Sequence, residues 1–205
     1  MCNLYRMTKA ADEVAKMFGV DAPAPGNAGG EVYPGFPGWV VADGRMSSMT
    51  WGFPLVLKGK QGQPLKPKAV NNARTDKLAS PFWRHAFEHG RCLIPVEAFA
   101  EAAGVKGAKT RTWFSVPDQP VFAAAGLWRN SAEFGPCYTM VMTEACVDIG
   151  DLHDRMPVIL TQEEAARWVE TSSREEALSL CRPWPHGLCV EHTDEAWTRS
   201  AASNR

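Results

Sequence analysis

The chain of 205 residues contains no apolar run approaching the roughly eighteen consecutive residues of a membrane-spanning helix, so no transmembrane helix is expected. It lacks the basic n-region and apolar h-region of a secretory signal, and a cytoplasmic location is expected. It has almost no net charge, formally −1, so no global field draws it to nucleic acid and any such binding needs a local basic patch. Its six cysteines (Cys2, Cys92, Cys137, Cys146, Cys181 and Cys189) include no CxxC pair. Zinc-ribbon spacing is therefore absent, and a disulfide framework is not expected in a reducing compartment. No metal site and no cofactor is expected. Internal repeats and low-complexity segments are absent too.

What is present is an ordinary globular composition, with 45% hydrophobic and 22% charged residues. The length suits one domain over residues 1–205, with 183–205 as a less regular C-terminal extension. Thr8 is placed to cap a helix over residues 9–18 that stops at Gly19. Residues 20–38 read as a long Gly/Pro loop, and "WVVADGRMSSMTWG" as two strands joined by Asp43-Gly44. "KGKQGQPLKPKAV" reads as a basic loop carrying Lys58, Lys60, Lys66 and Lys68, and residues 76–89 as a helix. Strands are expected in "RCLIPV", "TWFSV", "PVFAAAGLW", "CYTMVMT" and "MPVIL". Thr161 and Glu164 form a capping box for a helix ending near Glu170, and a short helix follows from Ser173 to Cys181. From Pro183 the chain is Pro-rich, then polar, and a frayed end is expected. Together these predict an α+β domain on a mostly antiparallel, barrel-like sheet flanked by helices.

The chain opens "MCNLYRMT". Read alone, a second-position cysteine packs into a sheet as a small hydrophobe. If Met1 is removed, Cys2 becomes a 1,2-aminothiol. An α-amino group has a pKa of about 7.7–8.0 against about 10.4 for lysine, so roughly a tenth of it is neutral and nucleophilic at pH 7. The amine condenses with an aldehyde to an imine, and the thiol closes onto the same carbon as a thiazolidine, favoured by proximity. The thiol also suits acyl transfer. Three stretches bring matching polar groups among apolar neighbours: "NNARTD" with Asn72 and Arg74, "RCLIPVEAFAEA" with Glu97 and Glu101, and "LHDRMPVIL" with His153 and Arg155. Each also has a plain surface or turn explanation.

Taken in order, "MCNLY", "NNARTD", "RCLIPVEAFAE", "FAAAGLW" and "LHDRMPVIL" resemble the SRAP (SOS response-associated peptidase) family, from residue 2 to about residue 169. The resemblance implies a barrel-like α+β fold and covalent crosslinking, through Cys2 after Met1 removal, to abasic sites in single-stranded DNA. It implies a cysteine autopeptidase activity for that removal, and nucleoid association on DNA damage. It implies Cys2, Asn72, Glu101 and His153 as catalytic residues, with Arg74, Arg155 and Thr143 near the DNA backbone and Phe82 and Trp83 against kinked DNA. On their chemistry, a buried Glu101 would protonate the leaving oxygen, His153 would stabilise the opened sugar and shuttle protons, and Asn72 would orient the amine. Departures from the family pattern fall at Asn3 and Leu4, where glycine and arginine are usual, and at Glu97-Ala98 and Ala102. Arg6 is the candidate substitute for the missing arginine. The expected partner is abasic single-stranded DNA, bound by a monomer, with no membrane involved.

Two other classes stay open on sequence. One is an N-terminal-nucleophile cysteine hydrolase, a peptidase or a glutamine amidotransferase, which also uses a cysteine exposed by Met removal. The other is a non-catalytic single-stranded DNA-binding module in which Cys2 is structural.

Overall fold

The computed structural model of the protein describes residues 2–24, 26 and 28–197. The expectations about Met1 and about the end beyond Trp197 lie outside these residues. In chain order come β1 (Tyr5–Met7), α1 (Ala11–Met17), β2 (Gly30–Val32), β3 (Pro37–Ala42), β4 (Arg45–Trp51) and β5 (Phe53–Leu55). Then follow β6 (Lys68–Val70), β7 (Asn72–Arg74), a 3-10 turn (Thr75–Lys77), α2 (Arg84–His89), β8 (Arg91–Val96) and β9 (Ala98–Ala103). Next are β10 (Thr110–Ser115), β11 (Phe122–Ser131), β12 (Gly135–Glu144), a second 3-10 turn (Gly150–Leu152), β13 (Arg155–Pro157) and β14 (Ile159–Leu160). The chain closes with α3 (Gln162–Glu170), α4 (Arg174–Ser179) and β15 (Cys189–Ala196).

Five strands close on themselves in the order β12-β4-β3-β8-β11 and back to β12, which is the expected barrel. Pairing is antiparallel except where β4 and β7 run parallel to β12. Beside the barrel lies a five-stranded sheet, β15-β10-β9-β1-β2. The two are tied together through the core. The hydroxyl of Tyr5 on β1 meets that of Tyr138 on β12 at 2.5 Å, both fully buried, with Trp51 stacked alongside. Gly38 lies under these two hydroxyls, and a Cβ there would overlap both.

Local signals held where they are strong. Asp43 and Gly44 take φ of 51° and 73°, the paired left-handed values of a tight hairpin turn. The Thr161–Glu164 capping box is complete, and Ser173 caps α4. Other local expectations differ. Thr8 does not cap α1. Its hydroxyl and amide, with the amide of Lys9, go instead to the Glu97 carboxylate. The helix expected over 76–89 is interrupted, because Pro81 lacks an N–H, and α2 begins only after it. The loop over 20–38 contains β2, and "AFAEAA" forms β9 despite its alanines. The C-terminal segment supplies β15, paired along β10.

Candidate active site

Alternation along β1 sends Tyr5 and Met7 into the main core, while Leu4 packs with Ala98, Ala100 and Trp113 in a second cluster. Arg6 is held there too, its guanidinium 4.0 Å from the Trp113 ring centroid, a cation–π contact. Cys2 itself is completely buried. Burial raises its thiol well above the ordinary range, and the Glu101 carboxyl adds to the effect. The thiol donates to the Leu4 carbonyl at 3.4 Å. At neutral pH it is a protonated thiol, with no standing thiolate.

The Cys2 carbonyl is gripped by two side chains from the stretch where β6 gives way to β7. Asn72 Nδ2 donates to it at 2.7 Å and Asn71 Nδ2 at 3.0 Å. Asn72 is placed by β7, which runs along β12 in the register Met140↔Asn72. Its Oδ1 is buried and has no hydrogen-bond partner among the described residues.

Glu101 lies on β9 opposite Thr112 of β10 and is only 4% exposed. Burial pushes its carboxyl up to about 7, and the negative charge of Asp154 adds to the rise. His153 follows the 3-10 turn Gly150–Leu152, which packs against β9. Its Nδ1 accepts the Arg155 N–H at 2.9 Å and also lies 3.1 Å from Asp154 Oδ1. A neutral ring cannot bond both through one nitrogen. Burial lowers this imidazole's pKa, so the backbone bond is the one consistent with the neutral ring, and the proton sits on Nε2. Asn72 thus bonds Cys2 directly, Glu101 acts on the Cys2 thiol through its charge, and His153 shares the field of Asp154 with Glu101.

Residues expected to meet DNA fall into two sets. Arg74 is half-exposed and makes a two-point ion pair with Asp76, at 2.9 and 3.0 Å. Arg155 heads β13, its Nε 3.8 Å from Asp154. Phe82 is half-buried, within a cluster of Phe53 and Trp83 under the Arg129 guanidinium. Thr143 and Trp83 are different from expectation. Thr143 is 3% exposed and its hydroxyl is donated to the Cys181 carbonyl, while Trp83 is 7% exposed and packs on Phe53. Both are interior side chains with almost no surface to offer.

Two features escaped sequence reasoning. One is Asn71, visible only as half of "NN". The other is a set of exposed aliphatics, Val56, Leu57 and Leu65, on the lysine-bearing ribbon beyond β5, where Leu65 N–H bonds the Leu57 carbonyl. Apolar residues inside a polar, Lys-rich loop were the available signal.

An open cavity of about 530 Å³ adjoins His153, lined by Glu144, Cys146, Asp151, Asp154 and Arg155 among others. A larger concavity of about 1010 Å³, between α1, the Asp43-Gly44 turn and α3, includes none of the site residues, and the chemistry points to the smaller one. Among the described residues no His/Cys/Asp/Glu group could hold a metal ion, and no helix is long and apolar enough to cross a membrane.

Residues 1–195 match the family model described as SOS response associated peptidase (SRAP). Among curated proteins, the abasic site processing protein YoqW of Bacillus subtilis is 28% identical over 202 residues, covering 90% of this chain and 88% of its own length. The abasic site processing protein YedK of Escherichia coli is 31% identical over 130 residues, 58% of this chain and 56% of its own. A crystal structure of a Bacteroides thetaiotaomicron protein superposes with a TM-score of 0.75 at 20% identity, covering 93% of this chain and 91% of that one. A Bordetella bronchiseptica protein gives 0.75 at 22% identity, covering 94% and 99%. At these identities the structural likeness is one of fold.

Proposed function

This chain belongs to the SOS response-associated peptidase family, and from that premise we propose that it processes abasic sites in DNA, joining itself covalently through Cys2 to the opened sugar in single-stranded DNA. The relatives named abasic site processing proteins support the substrate. The observation that carries the chemistry is a Cys2 fixed by its carbonyl beside a carboxyl poised at about 7.

The reaction begins once Met1 has been hydrolysed from Cys2, with one water consumed and methionine released. The freed α-amine attacks C1′ of the open-chain sugar, giving a carbinolamine. Asn72 Oδ1, a buried acceptor with no other partner among the described residues, takes a hydrogen bond from that amine and aims it. Glu101, about half protonated near pH 7, gives its proton to the hydroxyl that leaves as water, and a protonated imine forms. The Cys2 sulfur then adds to C1′ as its proton passes to the Glu101 carboxylate, which restores the acid, and the ring nitrogen keeps the hydrogen it already carried. The sum is aldehyde plus aminothiol giving thiazolidine plus water. His153, neutral with its proton on Nε2, donates to the opened sugar oxygen.

A thiolate-led hydrolase is supported less well, because burial keeps the Cys2 thiol protonated. DNA is held by Arg74 and Arg155 at phosphates, which requires Arg74 to exchange Asp76 for a phosphate oxygen. Phe82 and the aliphatics Val56, Leu57 and Leu65 touch bases, with Trp83 and Thr143 supporting from within. One copy suffices, since every reacting group comes from one chain.

The test uses uracil-containing single-stranded DNA treated with a uracil glycosylase. The processed protein should give a covalent band on a denaturing gel. The band should vanish with Cys2→Ala and after prior borohydride reduction of the aldehyde. No band from protein shown by intact mass to start at Cys2 would sink the reading.

A further inference from the structure

We propose that Asn71 is a second positioning residue for the Cys2 reaction, clamping the terminal dipeptide together with Asn3. The inference rests on Cys2 being the residue that reacts.

Neighbouring residues in a strand point to opposite faces, so two consecutive asparagines should not reach one oxygen. Here they do, because the chain breaks at residue 71 between β6, which ends at Val70, and β7, which begins at Asn72. Both Nδ2 groups donate to the Cys2 carbonyl, at 3.0 Å from Asn71 and 2.7 Å from Asn72. A carbonyl held by one donor can pivot about that bond. Held by two, its plane is defined, and with it the directions of the attached amine and thiol.

The backbone of Asn71 is itself anchored. Its carbonyl accepts from the Trp51 indole at 3.0 Å and from the Met140 amide at 3.0 Å. Trp51 is fully buried against Tyr5 and Tyr138, so this support belongs to the barrel wall. Asn71 Nδ2 donates a second time, to Asn3 Oδ1 at 3.1 Å. Both of its N–H groups are thereby used on one dipeptide. This gives a role to Asn3, the exposed side chain that stands where the family pattern has glycine. Asn3 orients the Asn71 amide, and Asn71 holds Cys2.

Such a clamp acts on the orientation of the reacting atoms and leaves DNA affinity alone. The experiment measures single-turnover adduct formation on abasic single-stranded DNA, and separately affinity for the same strand carrying tetrahydrofuran, which cannot condense. Asn71→Leu should slow adduct formation about five- to tenfold, the worth of one hydrogen bond, with affinity within about twofold of the native protein. Asn71→Asp, which keeps the shape but turns two attractions into repulsions, should slow it further. Asn3→Ala disturbs nothing buried. It should slow the reaction about two- to threefold in the native background and have no effect in Asn71→Leu. Native rates in Asn71→Leu and Asn71→Asp, or in Asn3→Ala, would overturn the clamp, as would an affinity loss as large as the rate loss. If the native protein forms no adduct at all, it is the abasic-site reading that has failed.

Discussion

Glu101 is a single carboxyl among alanines on β9, and its burial has two measurable consequences. Folding moves its pKa from the ordinary 4.5 to about 7. Between those values the native chain holds a proton that the unfolded chain has lost, so stability falls as pH rises through that window. The penalty is absent below about 4.5, complete above about 7, and amounts to about 3 kcal/mol. Glu101→Gln keeps the shape without the charge. Thermal melts should show it more stable than the native protein at pH 8 and equal to it at pH 4. An equal gain at both would mean that the carboxyl is not buried as a charge. In the proposed reaction the same titration would set the alkaline limb of adduct formation, which should fall above about pH 7 and be missing in Glu101→Gln. In the sequence Glu101 stood beside Glu97 as one of two carboxyls in a strand-like stretch, and only the family resemblance singled it out as a candidate acid. Its raised pKa was not legible there, since desolvation depends on what covers a residue. The interior positions of Thr143 and Trp83 were hidden for the same reason.

Elements assembled from local chemistry came out as read. Asp43-Gly44 demands left-handed φ wherever it occurs, and a capping box closes on itself within four residues. Elements that depend on a distant partner did not. Thr8 has the right chemistry for an N-cap, yet Glu97, far along the chain, takes its amide and hydroxyl and the next amide at 2.8–2.9 Å. Glu97 thus ties the start of α1 to the β8–β9 junction. Glu97→Ala should remove three hydrogen bonds at a half-exposed site and lower stability by about 1–2 kcal/mol, seen as a lower urea midpoint with an unchanged slope. A native midpoint would mean that water replaces the carboxylate without loss. The "AFAEAA" stretch of β9 has weak strand propensity, and β1 and β10 on either side hold it in the sheet.

Over the whole molecule, charge is nearly balanced at −1, so DNA must be drawn by a local patch. The β5–β6 ribbon brings Lys58, Lys60, Lys66 and Lys68 beside exposed Val56, Leu57 and Leu65. Replacing Lys58, Lys60 and Lys66 with alanine should flatten the plot of log affinity against log salt by about 0.7 for each phosphate left unneutralised, roughly 2 in all, measured on tetrahydrofuran-containing single-stranded DNA. An unchanged slope would place the phosphates elsewhere. At the other end, Arg111 joins both edges of the five-stranded sheet, pairing with Glu31 at 2.6 Å and with Glu195 at 3.1 Å. Neither partnership is written in any local pattern. What the sequence determined by itself was the chemistry available: a cysteine exposed as a first residue is an aminothiol in any fold, and turn and cap residues act within a few positions. What only the tertiary structure decided was which groups meet and in what protonation state. Asn72 lies 70 residues from the carbonyl it holds. Pairings at that separation, and the burial that sets the state of Cys2, Glu101 and His153, arise only when the barrel closes against the sheet that carries Cys2.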